Sequence, residues 1–597
     1  MKKHILFFGI VIAVIMLGCI AASAINMDFV DGSFLWQEDS YLLGIPAKSS
    51  GVLVKSNFES TNTTIKNEIG ALVSDSSYIG TGATVSSSKV LTTVVYGDVN
   101  GDGRVTTADY IMMKKTITDT VLLQGAYKKA ADVNKDGQIA AADYMMVKSS
   151  MGGTVDLYEN MSATPYQSQF EKKDYSERKA DYRMDRNKIN IGLYGYEKGT
   201  DSALMKESYF EEIKNDFGAT FIAGGRNSTK IYNWCNEYQL GVIPKAINFT
   251  KYTITSEAKP TLGDYSEFDC LKDGTYKDYD CFWGDEVFDE PEAQYYPWLA
   301  GAQQLYDGHF DDKFIFFNLN PCVEPYNESR PTACFGATDY QTYVNEYVKQ
   351  VDTDYVCFDV YPFDNGTKGF RRCYLYSMDI VSTAARESGR DFWIIIQSGS
   401  TAPEYKMTPT QLQWQVYTSL AYGANTIMYA SYMPWWFVDG TCMINNDGSK
   451  NDLWYGGQEV NKLVNALSST YMEYEHLGVT SIVGDTFMTK PQLRRQSTRN
   501  ATRGYDGTRG FKDIQCETGL IVGSFEKKDS KGYAMMLVES CDPYDMTVSS
   551  VVTFKVADSS CSKVTAYPDG KPQVLTAVDG VYTLELASGQ GLFVTVE

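Results

Sequence analysis

The chain has 597 residues, of which 43% are hydrophobic and 22% are charged, so it is too long for one hydrophobic core and should form several domains. Its 75 acidic and 54 basic residues leave a formal net charge of −21 at pH 7. Such an acidic surface repels phosphate backbones, and we therefore predict no nucleic-acid partner.

Residues 1–24 are typical of a secretory signal. Two lysines precede an apolar run over residues 5–17, and an Ala-Ser-Ala motif for cleavage ends at Ala24. A Met-Leu-Gly-Cys motif that ends at Cys19 resembles a lipoprotein box, which leaves lipid anchoring open as an alternative. No later run reaches the ~18 apolar residues of a membrane span. We predict a secreted, extracellular protein without a membrane span.

Residues 25–96 are rich in Ser, Thr and Val. Short segments at 51–56 and 90–96 alternate apolar and polar side chains, as half-buried strands do. The pattern predicts a small β module.

Two loops, residues 98–109 and 132–143, space oxygen donors as a calcium site does. Calcium takes about six to eight oxygen ligands, and a loop offers them from positions 1, 3, 5, 7 and 12 around a glycine at position 6. The first loop offers four side chains and one main-chain carbonyl, from Asp98, Asn100, Asp102, Arg104 (carbonyl) and Asp109. The second offers the same set from Asp132, Asn134, Asp136, Gln138 (carbonyl) and Asp143.

An apolar helical run follows each loop, starting at Tyr110 and at Tyr144, and the last ligand is aspartate where an EF-hand has glutamate. This duplicated loop and helix resembles the dockerin domain of cellulosomal enzymes, over residues 97–152. The resemblance implies two calcium ions and a cohesin module of a scaffold protein as partner. It also implies that partner choice rests on loop positions 10 and 11, which here are Thr107, Ala108, Ala141 and Ala142. The alternative is a single calcium that braces a surface loop of an unrelated domain.

After a polar linker at 153–187, residues 188–478 alternate short apolar runs with amphipathic stretches. Eight strands are predicted, at 189–194, 220–223, 241–244, 281–285, 314–318, 355–361, 392–397 and 426–431. Helices are predicted between them at 203–217, 292–305, 339–351, 372–388 and 410–422. Eight strand and helix repeats predict an α/β TIM barrel.

Residues 479–597 alternate apolar and polar side chains between turn signals, which predicts a β-sandwich. This segment resembles the C-terminal β domain of many barrel glycosidases. The predicted fold is therefore multidomain: a TIM barrel with a C-terminal β-sandwich, preceded by an all-α calcium-binding dockerin and a small N-terminal β module.

The chemistry of a TIM barrel lies where its strands end, and strand four is the richest in acids there. Asp285, Glu286, Asp289 and Glu290 lie at or beyond its end. Glycoside hydrolysis needs one carboxylic acid that protonates the leaving oxygen and a second carboxylate that attacks or activates water. Desolvation beside Trp283 would keep such an acid protonated.

The Asp-Glu-Pro motif at 289–291, with the segments at 358–363 and 420–424, resembles glycoside-hydrolase-like barrels related to the β-galactosidase side of the large retaining clan. The resemblance implies Glu290 as proton donor. Two alternatives stay open: Asp289 and Glu290 cap the helix that follows, or Glu286 is the acid that faces the barrel.

The clan's nucleophile is a glutamate that ends strand seven, where this chain has Gln397. An amide cannot form the covalent glycosyl intermediate. Three explanations remain: Asp359 acts with Glu290 in an inverting pair, Glu404 supplies the carboxylate, or the barrel binds glycan without cleaving it. We place Asp359 first, although a structural role for it in the loop that follows is an equal alternative.

Amide and aromatic side chains near the strand ends are those that bind sugars, and we predict contacts from Trp283, Asn318, Tyr361, Gln397, Tyr432, Trp435 and Trp436. Either of the last two could instead fill the seam between barrel and sandwich. No metal or cofactor is predicted in the barrel, and the absence of a Gly-x-Ser-x-Gly motif disfavours an esterase or peptidase. The sequence thus predicts a secreted cellulosomal glycoside hydrolase acting on a plant or other complex polysaccharide, or alternatively a non-catalytic carbohydrate-binding barrel.

Overall fold

The computed structural model divides the chain into two compact units, Met1–Pro165 and Tyr166–Glu597. It describes residues 29, 35–38, 40–118, 120–134, 138–151, 157, 170–197, 205–226, 228–245, 260–261, 263–265, 275–322, 335–337, 340–363, 374–482, 509–516, 518–539, 549–558 and 560–597. The predicted secretory signal, Cys19 and the predicted calcium ligand Asp136 lie outside these residues. Within them, no helix is both long and apolar enough for a membrane crossing.

The first unit begins with a five-stranded sheet in the order β1-β2-β5-β4-β3, with one short helix. These elements are β1 (Trp36–Glu38), β2 (Tyr41–Leu43), α1 (Gly51–Lys55), β3 (Thr64–Lys66), β4 (Thr84–Ser86) and β5 (Val90–Thr93). Ile65, Val85 and Leu91 lie on three neighbouring strands. Each of them is buried, and the residues on either side of it are more exposed. This alternation is that of a half-buried sheet, and β5 lies in the segment predicted at 90–96. The prediction of a strand at 51–56 was wrong: this segment forms α1, which is capped by the Ser50 side chain and buries the consecutive Leu53 and Val54.

The calcium-loop segment of the first unit forms helices α2 (Thr107–Ile117), α3 (Gly125–Ala131) and α4 (Ala141–Met151). The apolar runs after the loops lie in α2 and α4, and α3 was not predicted. Thr106 and Asp109 form a reciprocal capping box at the start of α2, so one aspartate both ends the loop and starts the helix. Leu43 and Val94 of the β module share a buried core with Met113 and Val147 of the helices.

In the second unit, the described residues contain eight parallel strands, each buried along almost its whole length, as strands covered on both faces are. They are β6 (Asn190–Tyr194), β7 (Phe221–Ala223), β8 (Gly241–Ile243), β9 (Gly284–Asp289), β10 (Phe314–Asn318), β11 (Tyr355–Val360), β12 (Asp391–Gln397) and β13 (Ala424–Ala430).

The strand pairing follows a ring. One parallel sheet has the order β11-β12-β13-β6-β7-β8, and β9 pairs with β10. Parallel bridges from Val242 to Phe282 and from Lys245 to Glu286 join β8 to the β9 segment, and one from Leu319 to Phe358 joins β10 to β11. Each strand thus neighbours the next along the chain, and the last neighbours the first.

Helices lie before the first of these strands, between the strands and after the last one. They are α5 (Ser176–Asp181), before the first strand, then α6 (Glu207–Asn215), α7 (Thr229–Glu237), α8 (Tyr296–Asp307), α9 (Tyr340–Gln350), α10 (Tyr374–Ser388), α11 (Pro409–Ala421) and α12 (Asp452–Met472). Tyrosines from α8 and α9 pack together in the large core outside the ring, whereas Phe316 and Trp393 fill its interior.

The predicted strands agree with the observed ones within a few residues, except the fourth. It was predicted at 281–285 and runs from Gly284 to Asp289. The apolar Cys-Phe-Trp triplet resembled the strand, and the two acids after it resembled its end. Asp285 and Glu286 instead lie inside the strand and are buried on its opposite faces. Two adjacent acids in the sequence therefore do not reliably mark the end of a strand.

The last part of the chain forms two antiparallel sheets. One has the order β14-β16-β17-β22-β19-β20 and the other β15-β18-β21. The strands are β14 (Tyr474–Ile482), β15 (Phe511–Cys516), β16 (Leu520–Lys527), β17 (Tyr533–Glu539), β18 (Ser550–Val556), β19 (Val564–Ala566), β20 (Gln573–Val574), β21 (Tyr582–Leu586) and β22 (Gly591–Val596). Phe554 of one sheet and Leu537 of the other belong to one buried core. Phe525 and Phe593, on the larger sheet, pack against Tyr471 of α12.

Candidate functional site

The first calcium loop is organised around two fully buried carboxylates. Asp98 accepts hydrogen bonds from the backbone N–H groups of Gly101 (2.8 Å) and Gly103 (3.0 Å). Asp109 accepts from Val99 (3.0 Å) and, through its other oxygen, from Thr106 (2.9 Å). These N–H groups turn the loop around its acids, as a calcium loop requires.

The electrostatics of this loop fit a cation. Burial raises the pKa of Asp98 to about 6; the backbone N–H groups of Thr81 and Gly103 oppose this, and the nearby Asp109 carboxylate adds to it. Two buried like charges are costly without a counter-ion, and a bound divalent cation reverses that cost. Asn100 and Asp102 carry the remaining side-chain oxygens, and both are bonded within the loop.

The described part of the second loop repeats the closing arrangement. Asp143 is fully buried and accepts from the backbone N–H groups of Asn134 (3.1 Å) and Ala140 (2.9 Å). Their counterparts in the first loop are the bonds that Asp109 accepts from the N–H groups of Asn100 (3.2 Å) and Thr106 (2.9 Å). The four predicted partner-selecting residues, Thr107, Ala108, Ala141 and Ala142, are all exposed.

At the C-terminal ends of the parallel strands, one amide joins two carboxylates. Asn318 Nδ2 at the end of β10 donates to Asp289 Oδ1 (3.1 Å) at the end of β9 and to Asp359 Oδ1 (3.0 Å) in β11. Tyr361 also donates to Asp359. Burial raises the pKa of Asp359 to about 7, and the negative charge of Asp289 adds to the rise, while Asn318 and Tyr361 oppose it. A buried carboxyl group whose pKa is raised in this way is a candidate general acid or base.

Glu290 has a strained backbone. Its φ is +52°, a left-handed conformation that a residue with a side chain seldom adopts. Its N–H donates to the Asn318 carbonyl (2.8 Å), and its own carbonyl accepts from Asn320 Nδ2 (2.9 Å). Two neighbours therefore hold the peptide in this conformation, and strain of this kind is concentrated at functional sites.

Capping does not account for the acids at 289 and 290. A 3₁₀ turn, Ala293–Tyr295, precedes α8, and neither the turn nor the helix has a side-chain cap. Asp289 instead binds Asn318.

A second buried group lies beside the first. Glu286 is 3% exposed and accepts from Tyr194 Oη (2.6 Å), and Lys245 Nζ lies 3.8 Å from the same oxygen. Burial raises the pKa of Glu286 to about 7; Lys245 opposes this, and Asp289 adds to it. Asp289 therefore raises the pKa of two acids at once, Glu286 in its own strand and Asp359 in β11.

Exposed aromatic side chains border this cluster. Trp435 is 50% exposed and Trp436 is 37% exposed, both after β13. Lys245 lies 4.9 Å from the Trp435 ring centre, and the Tyr194 and Trp436 rings meet edge to face at 6.0 Å. The two tryptophans are thus partly exposed next to Lys245 and Tyr194, which contact Glu286, and partly exposed aromatic rings beside carboxylates are typical of sugar-binding sites.

Other predicted contact residues lie inside the protein. Gln397 is buried, accepts from the Phe363 N–H (2.9 Å) and donates to the carbonyls of Phe363 (3.0 Å) and Gly399 (2.9 Å). Tyr432 accepts from Trp454 Nε1 (2.8 Å) in the outer core, and Trp283 lies in the ring interior against Phe221. Glu404, the alternative carboxylate, is exposed in a turn after β12.

Sequence reasoning missed Tyr194, Lys245 and Asn320. Tyr194 ends β6 and Lys245 follows β8 by two residues, so the rule that chemistry follows strand ends was sufficient to find them. No sequence signal distinguished Asn320. In the described residues, which include the first calcium loop, no three His, Cys, Asp or Glu side chains converge as a metal site, so the ligand set predicted for that loop depends also on Asn100 and the Arg104 carbonyl.

Residues 96–152 match the dockerin type I domain family, so this segment is a dockerin type I domain, as predicted. No curated protein matches the chain.

Solved structures similar to the chain include glycoside hydrolases at low identity. A family 39 glycoside hydrolase from Bacteroides cellulosilyticus WH2 has 10% identity and a TM-score of 0.37, over 69% of this chain and 82% of that one. The GH51 arabinofuranosidase from Xanthomonas axonopodis pv. citri has 8% identity and a TM-score of 0.36, over 69% and 97%. The endo-β-1,4-mannanase from Thermotoga petrophila has 11% identity and a TM-score of 0.30, over 67% and 91%. Similarities this weak do not establish a shared activity.

Proposed function

We propose that this chain is a secreted cellulosomal glycoside hydrolase that acts on a plant or other complex polysaccharide. In this proposal the ring of strands is a TIM barrel, the C-terminal sheets are a β-sandwich that supports it, and the dockerin attaches both to a scaffold cohesin. The observation that carries the catalytic part is the amide of Asn318, which joins Asp289 and Asp359 beside the strained Glu290.

Glu290 is the proposed proton donor and Asp359 the second carboxylate. Glu290 protonates the glycosidic oxygen as the bond to the anomeric carbon breaks, and Asp359 takes a proton from the water that attacks that carbon. Asn318 and Tyr361 hold Asp359 in place. Inversion of the anomeric centre follows, because no carboxylate stands at the end of β12 for a covalent intermediate.

Glu286 is the alternative second carboxylate. Tyr194 donates to it and Lys245 favours its ionised form, which supports a carboxylate that is charged when substrate binds. Trp435 and Trp436 supply the surfaces on which sugar rings stack, since both rings are partly exposed near the acids.

A second candidate function is carbohydrate binding without cleavage. Gln397 favours it, because the amide stands where a retaining enzyme needs a carboxylate and its polar atoms are bonded to backbone groups. A barrel of this kind would keep the tryptophan platform and lose the reaction.

For the dockerin we propose two calcium ions. The first is held by Asp98, Asn100, Asp102, the Arg104 carbonyl and Asp109, and the second by Asp132, Asn134, Asp136, the Gln138 carbonyl and Asp143. Calcium would neutralise the buried acids and fix the loops against the helices that meet cohesin.

The test is reducing-sugar release from a panel of plant polysaccharides by the full secreted chain. Glu290→Gln and Asp359→Asn should each lower turnover by about a hundredfold or more, the range expected for a lost acid or base. Asp285→Asn is the matched control, because Asp285 is buried in the same strand but binds Tyr306 on the opposite face (3.1 Å). It should retain turnover.

Three outcomes decide between the candidates. Loss in both site variants with activity in the control supports the proposed pair, and loss in Glu286→Gln but not in Asp359→Asn assigns the second role to Glu286. Glycan binding without turnover on any substrate selects the non-catalytic barrel.

A further inference from the structure

The first calcium loop has a hydrogen-bond donor from outside the dockerin. Asp98 accepts four backbone N–H groups, of which three come from its own loop, at Gly101, Asp102 and Gly103. The fourth comes from Thr81 (2.8 Å), in the β module and before the start of the dockerin family match. Asp98 is the first ligand of the predicted site, so part of its orientation is set from the β module.

Thr81 is itself fixed in place. Its hydroxyl accepts from the Val95 N–H (3.0 Å) and donates to the Val95 carbonyl (3.1 Å), and the residue is buried. Val95 follows β5 and lies directly before the dockerin. The donor to Asp98 is therefore held by the β module and does not depend on the loop that it orients.

The loop's turn is held from the same side. The Lys48 N–H donates to the Gly103 carbonyl (2.7 Å), and Gly103 is the turn glycine of the loop. The Arg104 guanidinium lies 5.0 Å from the Tyr78 ring centre, next to the carbonyl predicted as a ligand. Two further contacts thus fix the half of the loop that provides the ligands at positions 5 and 7.

Gly80 shows how closely the two backbones approach. A Cβ atom at this position would lie 1.9 Å from the Gly101 carbonyl oxygen and 2.9 Å from the Gly103 nitrogen. Both are backbone atoms, so they cannot move aside without displacing the loop. Gly80 is required here by space, because only a residue without a side chain permits this contact.

We propose that the segment 78–81 of the β module is a positioning element for the first calcium loop and sets the affinity of that site. The proposal rests on the calcium sites of the proposed function. The described hydrogen bonds to the last ligands of the two loops, Asp109 and Asp143, come by contrast from N–H groups of their own loops. Groups that orient metal ligands typically change metal affinity by about 10- to 100-fold when they are altered.

The test is calorimetric titration of the full chain with calcium chloride, with one loop disabled at a time. In an Asp143→Ala background only the first loop binds calcium, and Gly80→Ala should raise the Kd of that loop by about tenfold or more. In an Asp109→Ala background only the second loop binds, and Gly80→Ala should leave its Kd unchanged. Thr81→Ala, which removes the anchoring hydroxyl, should weaken the first site by a smaller factor.

Thr84→Ala is the matched control, a threonine of the neighbouring strand β4, and should change neither site. Thermal melts of each variant measure whether the first unit folds. Unchanged first-loop affinity in both Gly80→Ala and Thr81→Ala overturns the inference, as does equal weakening of both loops. Failure of the unmodified chain to bind any calcium overturns the proposed calcium sites themselves.

Discussion

The dockerin loops and the strand-end cluster both bury carboxylates, but they stabilise them in different ways. Asp98 and Asp109 accept backbone N–H groups in a loop that also carries the oxygens of Asn100 and Asp102, the kind of ligand set that a hard cation takes. Glu286 and Asp359 are held mainly by side chains and face the charge of Asp289, and the pKa of each is raised to about 7. The first arrangement suits metal binding, and the second suits proton transfer.

The largest effect should come from removing calcium from the dockerin loops. Because folding of such loops is coupled to calcium, chelation should abolish binding of the full chain to a panel of immobilised cohesin modules, and added calcium should restore it. Asp109→Ala with Asp143→Ala should bind no cohesin even in calcium. Undiminished binding in excess chelator would contradict the calcium assignment of both loops.

Removing the negative charge of Asp289 should change the pKa values in the second region, which is the strand-end cluster. Asp289→Asn keeps an oxygen for Asn318 and removes the charge that raises the pKa of Asp359, so that pKa should fall. Asp359 would then be ionised at lower pH, and the acidic limb of the kcat/KM profile should move to lower pH. Lys245 and Tyr194, which oppose the raised pKa of Glu286, remain in place in this variant.

The profile also checks the assignment of roles. Movement of the alkaline limb alone would make Asp359 the proton donor and contradict its role as base. An unchanged profile would show that neither raised acid takes part in the rate-limiting step.

A smaller effect is expected on stability, from an acid outside both regions. Burial raises the pKa of Asp285 to about 7, with Tyr306, Lys277 and Lys313 opposing. Its folded pKa lies above its unfolded value, so the contribution of Asp285 to stability is greatest below about pH 4 and is lost as pH rises to 7, by on the order of 3 kcal/mol. Asp285→Asn should flatten this dependence and raise Tm at pH 8.

Asp391→Asn is the contrasting variant. Its pKa is lowered to about 2, because Arg186 and Lys179 outweigh the effect of burial. Its replacement should lower Tm at pH 8, since Arg186 loses a buried partner at 2.7 Å. An Asp285→Asn protein whose Tm follows the unmodified chain at pH 4, 6 and 8 would disprove the expected trend.

The same contrast explains what the sequence could predict. Each set of predicted calcium ligands lies in one short loop, so the spacing is visible in the chain, and the dockerin prediction is confirmed. Most strands of the parallel ring were visible because each is an apolar run. The acid cluster joins the ends of several strands, and its contacts depend on register; a shift of three residues at the start of β9 moved Glu286 into the interior.

Single residues show the same limit. Gln397 was visible as an amide at the end of a strand, but its bonds to Phe363 depend on a loop whose path no local pattern encodes. Gly80 looked like an ordinary loop glycine, and only the approach of the Gly101 carbonyl reveals why it lacks a side chain. Long-range packing decided both.

The shared core of the first unit bears on how this dockerin can be transplanted. Leu43 and Val94 lie with Met113 and Val147 in one buried cluster, and Thr81 contributes to the first loop. A graft that starts at residue 96 would leave these groups behind and expose the apolar face that they cover. The smallest dockerin segment that can be fused to a foreign enzyme therefore begins before Tyr41, and it includes the β sheet as well as the helices.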